Sequence, residues 1–284
     1  MIRFGGPVFL NDAAGADPER LAAKHREKGF TAAYAPQIDW RDKDLVRATR
    51  EAFERENIML AEVGYWENIM DTDMDTRDFH RCKTLDALYL AEELGAHCAV
   101  NIWGSYCHGN GNSQHNARNF TNDAFTAAVD MARYFIDTVK PRTAFFAYEI
   151  FPFDIVDTVE HIQQLVKAVD RRQFGVHLDL ANLISDPYKY FFHTRILDEM
   201  IKTLGDRIVS THVKDIKLRE PAISVILEEV PAGQGIIDFG AYAAAVNSLP
   251  RDTPFMMEHL STEEEYDAAA AYIRGEAAKA GVKF

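Results

Sequence analysis

Apolar and polar positions along this chain change period again and again. Short runs dominated by apolar residues alternate with longer stretches whose apolar residues recur at helical spacing. The first such stretch is DPERLAAKHREKG, where Asp17 is the expected N-cap, Pro18 fits the first helical position and Gly29 closes the C-terminus. A strand-like TAAYAP follows, then the polar helix DKDLVRATREAFEREN and the strand IMLAEVGYW. TLDALYLAEELG reads as helix and HCAVNIWG as strand. NDAFTAAVDMARYFIDTV sets Phe125, Ala128, Ala132, Phe135 and Val139 on one face, and AFFAYEIF is the next strand. In DIVDTVEHIQQLVKAVD, Ile155, Val159, Ile162, Val166 and Val169 share a face behind Asp154 as N-cap. The remainder reads as FGVHLDLANLI (strand), ILDEMIKTLG (helix), RIVSTHVKDI (strand), DFGAYAAAVNSL (helix, capped by Asp238) and PFMMEHL (strand). A final helix opens with the pair Ser261 and Glu264, three apart, as in a capping box.

With an opening strand at IRFGGPVF, about eight strands alternate with helices. That is the pattern of a parallel sheet packed under helices. The expected fold is α/β, a single (β/α)8 TIM barrel over residues 1–284, since such a barrel takes roughly 250 residues as one unit. The strands are nearly continuous apolar runs, as burial on both faces requires. No Ser/Gly-rich linker divides the chain, and no GxGxxG at a strand-to-helix turn supports an open dinucleotide-binding sheet.

Polar residues interrupt the apolar runs where strands end, the face of such a barrel that carries chemistry. They are Glu62, Asn101, Glu149, Asp179, His212 and Glu258. Side chains alternate along a strand. Turning Glu149 inward sends Tyr148 and Ile150 outward. Asp179 inward sends out Val176 and Leu178, and His212 inward sends out Val209, Thr211 and Val213. Taken singly, each of these residues is more often a cap, a salt bridge or a satisfied core group than a ligand. Four successive strand ends supplying Glu149, Asp179, His212 and Glu258 is a different matter, because three converging carboxylates repel unless a cation joins them. An oxygen-rich set with one nitrogen suits one divalent metal ion, Mn²⁺ first, with Mg²⁺, Co²⁺ and Zn²⁺ as alternatives.

The stretches YEIF, HLDLANL, THVKD, GQGIIDF and MMEHL together resemble the xylose-isomerase-like TIM-barrel superfamily. Within it they are similar to the sugar phosphate isomerase/epimerase branch, with its D-tagatose 3-epimerase and inosose dehydratase relatives. The resemblance implies one divalent metal on Glu149, Asp179, His212 and Glu258. It also implies Glu149 and Glu258 as the catalytic pair that exchanges protons with substrate. Family members often carry HxDxxH on strand six; here Asn182 stands at the last position and cannot titrate near neutral pH. That departure leaves the substrate and exact reaction open. It also argues against the apurinic-endonuclease branch, which needs several more histidines.

The expected substrate-binding residues are Lys214, Asn182, Trp103, Glu62, Trp66 and His108. Trp66 and Trp103 could wall a sugar ring, or simply pack in the core; His108 lies in SYCHGNGNSQHN, a loop that could serve as a lid or a plain connection. His177 shares the inward face with Asp179, as support for a ligand or as barrel core. The expected reaction is proton transfer beside the carbonyl of a ketose or keto-polyol by a metal-dependent isomerase or epimerase. The alternatives are a dehydratase or lyase using the same metal, and a subunit of a larger assembly without activity of its own. Lys214, Lys217 and Arg219 lie where barrels often bind phosphate, but no phosphate-cradling glycine motif follows the last strand, so the balance falls to a sugar without phosphate. The net charge of −13 speaks against nucleic acid and anionic membrane as partners. A small sugar or polyol and further copies of the chain (a homo-oligomer) remain compatible. Three cysteines without CxxC spacing, and no signal-peptide core, point to the cytoplasm.

Overall fold

Parallel strands close into a barrel in the computed structural model, which describes residues 1–10, 17–109, 114–152 and 157–284. The strands are β1 (Ile2–Gly5), β2 (Ala32–Tyr34), β3 (Met59–Gly64), β4 (Cys98–Asn101), β5 (Phe145–Glu149), β6 (Phe174–Asp179), β7 (Ile208–Val213), β8 (Asp215–Leu218), β9 (Leu227–Val230) and β10 (Thr253–Met257). The barrel order is β1-β10-β7-β6-β5-β4-β3-β2, and β8 with β9 forms a separate antiparallel hairpin. The helices are α1 (Pro18–Glu27), α2 (Lys43–Arg55), α3 (Met74–Leu94), α4 (Asn122–Val139), α5 (Val159–Val169), α6 (Leu180–Leu183), α7 (Pro187–Phe191), α8 (His193–Leu204), α9 (Phe239–Asn247) and α10 (Glu263–Lys279). The expected TIM barrel is therefore the observed one. Among the described residues no helix is long and apolar enough to cross a membrane.

Strand alternation divides the core. Outward residues such as Phe146, Tyr148, Val176, Leu178 and Val213 pack with the helices in one large apolar cluster. Two small clusters face the other way and fill the barrel: Cys98, Val100, Ala147 and Val209 on one side, Ala32, Ala61 and Met256 on the other. Val209 was expected outward. The β6–β7 register passes from Val176↔Ile208 to His177↔Ser210, so Val209 has no partner and this bulge turns it inward. A similar slip, from Ala33↔Leu60 to Tyr34↔Glu62, lets Ala61 and Glu62 both face the interior.

The helix signals hold where a cap oxygen reaches an orphan amide. Asp17 accepts from Glu19 N, and Asp238 from Ala241 N at 2.8 Å. Gly29 takes the left-handed backbone (φ 66°) beyond α1. The last capping box lies one residue later than expected: Thr262 and Glu265 form it, not Ser261 and Glu264. Helix α3 begins at Met74 rather than Thr84, because Asp73 accepts from Thr76 N at 2.8 Å and starts a polar turn that apolar spacing misses. Asp154 lies outside the described residues, and Thr158 caps α5.

The run RIVSTHVKDI is not one strand. It leaves the barrel at Val213 and restarts at Asp215 in the hairpin. Asp215 explains the turn. Its buried carboxylate accepts from the amides of Ile216 (2.9 Å), Gly233 (2.9 Å), Gly235 (2.9 Å) and Ile237 (3.0 Å). A Cβ on Gly235 would lie 2.2 Å from Asp215 Oδ1, so this approach needs glycine. Asp215 thus ties GQGIIDF to the end of β7 and fixes the hairpin over the barrel mouth. Asp215→Ala leaves several inward amides without their charged acceptor and is expected to cost about 2–4 kcal/mol in urea unfolding. A loss below about 0.5 kcal/mol would show that water replaces the carboxylate.

Candidate active site

The strand ends bring together what the sequence had dispersed. Glu149 ends β5, Asp179 ends β6, His212 lies one residue before the end of β7, and Glu258 follows β10. These four offer ligand atoms that all lie within 4.8 Å of one another, in buried surroundings. His212 is the hub. Its Nδ1 lies 2.8 Å from Glu258 Oε2 and 3.3 Å from Glu149 Oε1, and its Nε2 lies 3.5 Å from Glu62 Oε1. Glu62 also meets His177 Nε2 at 3.2 Å and accepts from Ser210 Oγ at 3.2 Å. Glu62, His177 and His212 form a second such group that shares the His212 ring.

Lys214 enters from the turn between β7 and β8. Its Nζ is 2.9 Å from Asp179 Oδ2, 2.8 Å from Glu258 Oε1 and 3.1 Å from Glu229 Oε1. Asp179 Oδ2 and Glu258 Oε1 are nonetheless buried without a hydrogen bond of proper geometry. The ammonium balances their charge but does not saturate their lone pairs. Three carboxylates, two of them with an open oxygen, around one imidazole form a donor set that fits a single hard or borderline divalent ion, on Glu149, Asp179, His212 and Glu258.

The electrostatics follow from burial and alternation of charge. Burial pushes the Asp179 carboxyl up to about 7, against the pull of Lys214. Glu62 is as buried, yet His212 and His177 hold it down to about 2. Burial also opposes the charge on Glu258, but His212 and Lys214 keep it well below the usual carboxylate range. Desolvation works against the charged forms of His212 and Lys214, and the carboxylates around them, Glu258 on the first and Asp179 on the second, raise both.

A cavity of about 480 Å³ opens beside the cluster. Its wall includes Pro7, Tyr34, Gln37, Trp66, Phe151 and Tyr266, with Glu62, Glu149, Glu258 and His259 on its polar side. Glu149 and Glu258 therefore face both the cluster and the cavity, whereas Asp179 and His212 sit behind them. Trp66 lies over the barrel because Gly64 has no side chain: a Cβ there would stand 1.9 Å from the indole. The Trp66 Nε1 donates to Glu149 Oε2, and Asn182 Nδ2 donates to Glu149 Oε1 at 3.2 Å. The buried Tyr242 hydroxyl from α9 donates toward the carbonyls of Leu178 (3.2 Å) and His212 (3.1 Å), tying β6 to β7 beside the cluster.

Not every expected residue lies here. Trp103 is fully buried in the large core cluster, edge-on to Tyr148, and is absent from the cavity wall. His108 is exposed and pairs with Asp71 at 3.0 Å, away from the cavity. Asn68 grips its loop through the carbonyls of Ser105, Cys107 and Gly109, while residues 110–113 lie outside the described ones. Asn101 is a structural pin that accepts from Glu67 N and donates to Thr84 Oγ1. Lys214 and Asn182 touch the carboxylates rather than the cavity. Sequence reasoning missed Tyr34, Gln37, His259 and Glu229. His259 adopts a left-handed backbone (φ 57°), uncommon outside glycine, and its Nδ1 lies 2.7 Å from Glu229 Oε2. Its place beside Glu258 in MMEHL was the one available signal.

A family model described as xylose isomerase-like TIM barrel matches residues 19–276. The chain belongs to this family. Solved structures share the fold. One is D-psicose 3-epimerase with D-tagatose from Clostridium cellulolyticum H10, at 15% identity and TM-score 0.68, covering 98% of this chain and 99% of that one. A second is a xylose isomerase-like TIM barrel protein from Mycobacterium smegmatis in complex with magnesium, at 16% identity and TM-score 0.65, covering 95% and 91%. A third is 3-keto-D-glucoside 4-epimerase from E. coli, at 13% identity and TM-score 0.64, covering 96% and 98%. No curated protein matches the chain. At these identities the likeness to the solved structures is one of fold.

The two tryptophans give a direct test of placement. Trp66→Phe removes a donor to Glu149 and is expected to weaken binding of a divalent ion at the cluster, with Mn²⁺ as the probe, roughly tenfold. Trp103→Phe is expected to leave Mn²⁺ binding unchanged and to cost about 1–3 kcal/mol of stability. Titration of free Mn²⁺ by electron paramagnetic resonance reads the first, urea unfolding the second. The reverse pattern would remove Trp66 from the site.

Proposed function

We propose that this protein is a metal-dependent epimerase or isomerase that moves a proton on the carbon beside the carbonyl of an uncharged ketose or keto-polyol. One observation carries the reading: Glu149 and Glu258 belong at once to the four-residue cluster and to the cavity wall. A divalent ion held by Glu149, Asp179, His212 and Glu258 would supply Lewis acidity toward a carbonyl oxygen. The sugar epimerases among the structural neighbours agree with this chemistry without specifying it.

The chain's own residues supply the rest. Trp66, Asn182 and His212 fix the Glu149 carboxylate with its face to the cavity, in position to take a proton from carbon. Glu258 reaches the same space from β10, held by His212 and Lys214. Two carboxylates reaching one carbon from different strands can remove a proton on one face and return one on the other, which inverts the centre. Asp179 and His212 face away from the cavity and serve the cluster.

Charge defines the substrate class. Among the described residues no lysine or arginine lines the cavity. Residues 11–16, 110–113 and 153–156 contain none in their sequence. Among the described wall residues a phosphate dianion would face Glu62, Glu149 and Glu258, and the basic side chain there, His259, is already paired with Glu229. Arg219, expected near a phosphate, pairs with Glu228.

Two experiments test the reading. Ketoses incubated with the Mn²⁺-loaded protein in deuterated water are expected to gain deuterium at the carbon beside the carbonyl, mostly in the inverted product. Transfer of the substrate hydrogen to the neighbouring carbon without solvent label would reject proton transfer by glutamate and leave the metal assignment standing. For any ketose turned over, its phosphate ester is expected to show kcat/KM lower by roughly 100-fold or more, since one unpaired buried charge costs several kcal/mol. Equal or better use of the ester would overturn the uncharged class.

A further inference from the structure

Lys214 touches the same residues that the proposed metal needs. We infer that its ammonium is an internal competitor for the divalent ion, bridging Asp179 and Glu258 in the ion's place and yielding those oxygens by moving onto Glu229. This rests on the metal set proposed above.

The lone pairs make the argument. Asp179 Oδ1 accepts the Asn182 amide at 3.1 Å as the cap of α6, so Oδ2 is the oxygen left for another partner. Lys214 Nζ stands 2.9 Å from it. On Glu258, Oε2 meets His212 at 2.8 Å and Oε1 meets Lys214 at 2.8 Å. An ammonium and a divalent ion on the same two oxygens would repel each other across a few ångströms of buried space, so the two cations compete for them. The ammonium holds them without hydrogen-bond geometry, which makes it the partner easier to displace.

A place to retreat is built in. Glu229 on β9 already lies 3.1 Å from Nζ and is half-exposed, unlike the buried Asp179. His259 Nδ1 meets the other Glu229 oxygen, Oε2, at 2.7 Å and lies 3.5 Å from Nζ. A second cavity of about 160 Å³, lined by Lys214, Glu229, Glu258, His259 and Ser261, gives the flexible lysine stem room on that side. Charge favours keeping the ammonium close after the exchange: with Glu229 counted, four carboxylates exceed one ammonium and one divalent ion by a single negative charge. The hairpin anchored by Asp215 thus acquires a purpose, since it carries Glu229 to the lysine.

The test uses the full chain with Mn²⁺ as probe, counting free ion by electron paramagnetic resonance. Lys214→Met removes the competitor and is expected to bind Mn²⁺ about tenfold tighter than wild type, the gain from removing a state that blocks the site. After chelator treatment the same variant is expected to melt below wild type, with the gap closing when Mn²⁺ is added. Glu229→Gln keeps the lysine and removes its refuge, so Mn²⁺ binding is expected to weaken several-fold; this arm decides the matter should Lys214→Met fail to fold. Wild type that binds Mn²⁺ beside variants with unchanged affinity would overturn the role of Lys214 alone. Wild type that binds no Mn²⁺ would overturn the metal reading beneath it.

Discussion

Everything at the mouth of this barrel answers to one constraint: acidic side chains that have little or no contact with water must share very few cations. Glu62 and Asp179 are fully buried and Glu149 nearly so. His212 and Lys214 are the nitrogen groups among them, and each is held by more than one carboxylate. The result is an alternating chain of carboxylates and nitrogen groups, Glu62 to His212 to Glu258 to Lys214 to Asp179. Removing any link leaves a buried charge uncompensated, which costs far more than a surface pair ever returns.

The barrel makes that density achievable. Parallel strands deliver one inward side chain per end, so carboxylates far apart in sequence arrive within hydrogen-bond distance of a single ring. Small interior residues below them, such as Ala32, Ala61 and Ala147, leave room for the polar layer above. The irregularities serve the same end. The bulge at Val209 resets β7 so that Ser210 and His212 both reach Glu62. The hydroxyl of Tyr242 joins the carbonyls beside Asp179 and His212, so the two strands that bear them cannot drift apart.

Much of this is legible in the amino-acid sequence alone. Apolar runs alternating with amphipathic stretches specify the barrel, because each run must be buried on both faces and each helix on one. The inward positions of Glu149, Asp179 and His212 follow from period two alone. Period two also misplaces Val209, since a bulge adds a residue without leaving a mark in composition. The polar start of α3 escaped for a similar reason: Met74 and Phe79 are exposed, so apolar spacing begins only later. Trp103 and Trp66 look alike in sequence, each near a strand end. What separates them is Gly64, which lets one indole lie across the mouth while the other packs against Tyr148. Glu229 belongs to a hairpin strand too short and polar to announce itself, and it reaches the cluster only because four amides converge on Asp215.

The two kinds of wall around the cavity impose opposite demands on whatever enters. Trp66, Phe151, Pro7 and Tyr266 offer apolar surface, to which the C–H face of a sugar ring or chain is complementary. Glu62, Glu149 and Glu258 offer acceptors in excess of donors, which an array of hydroxyls satisfies and a carboxylate or phosphate does not. A polyol meets both demands. An anionic polymer meets neither, since the acidic edge repels it locally as the net charge of −13 repels it at range. Asn182 fits the same logic: where a histidine would add a titratable group, its amide donates a neutral hydrogen bond to Glu149 and leaves the carboxylate's charge, and its orientation toward the cavity, in place.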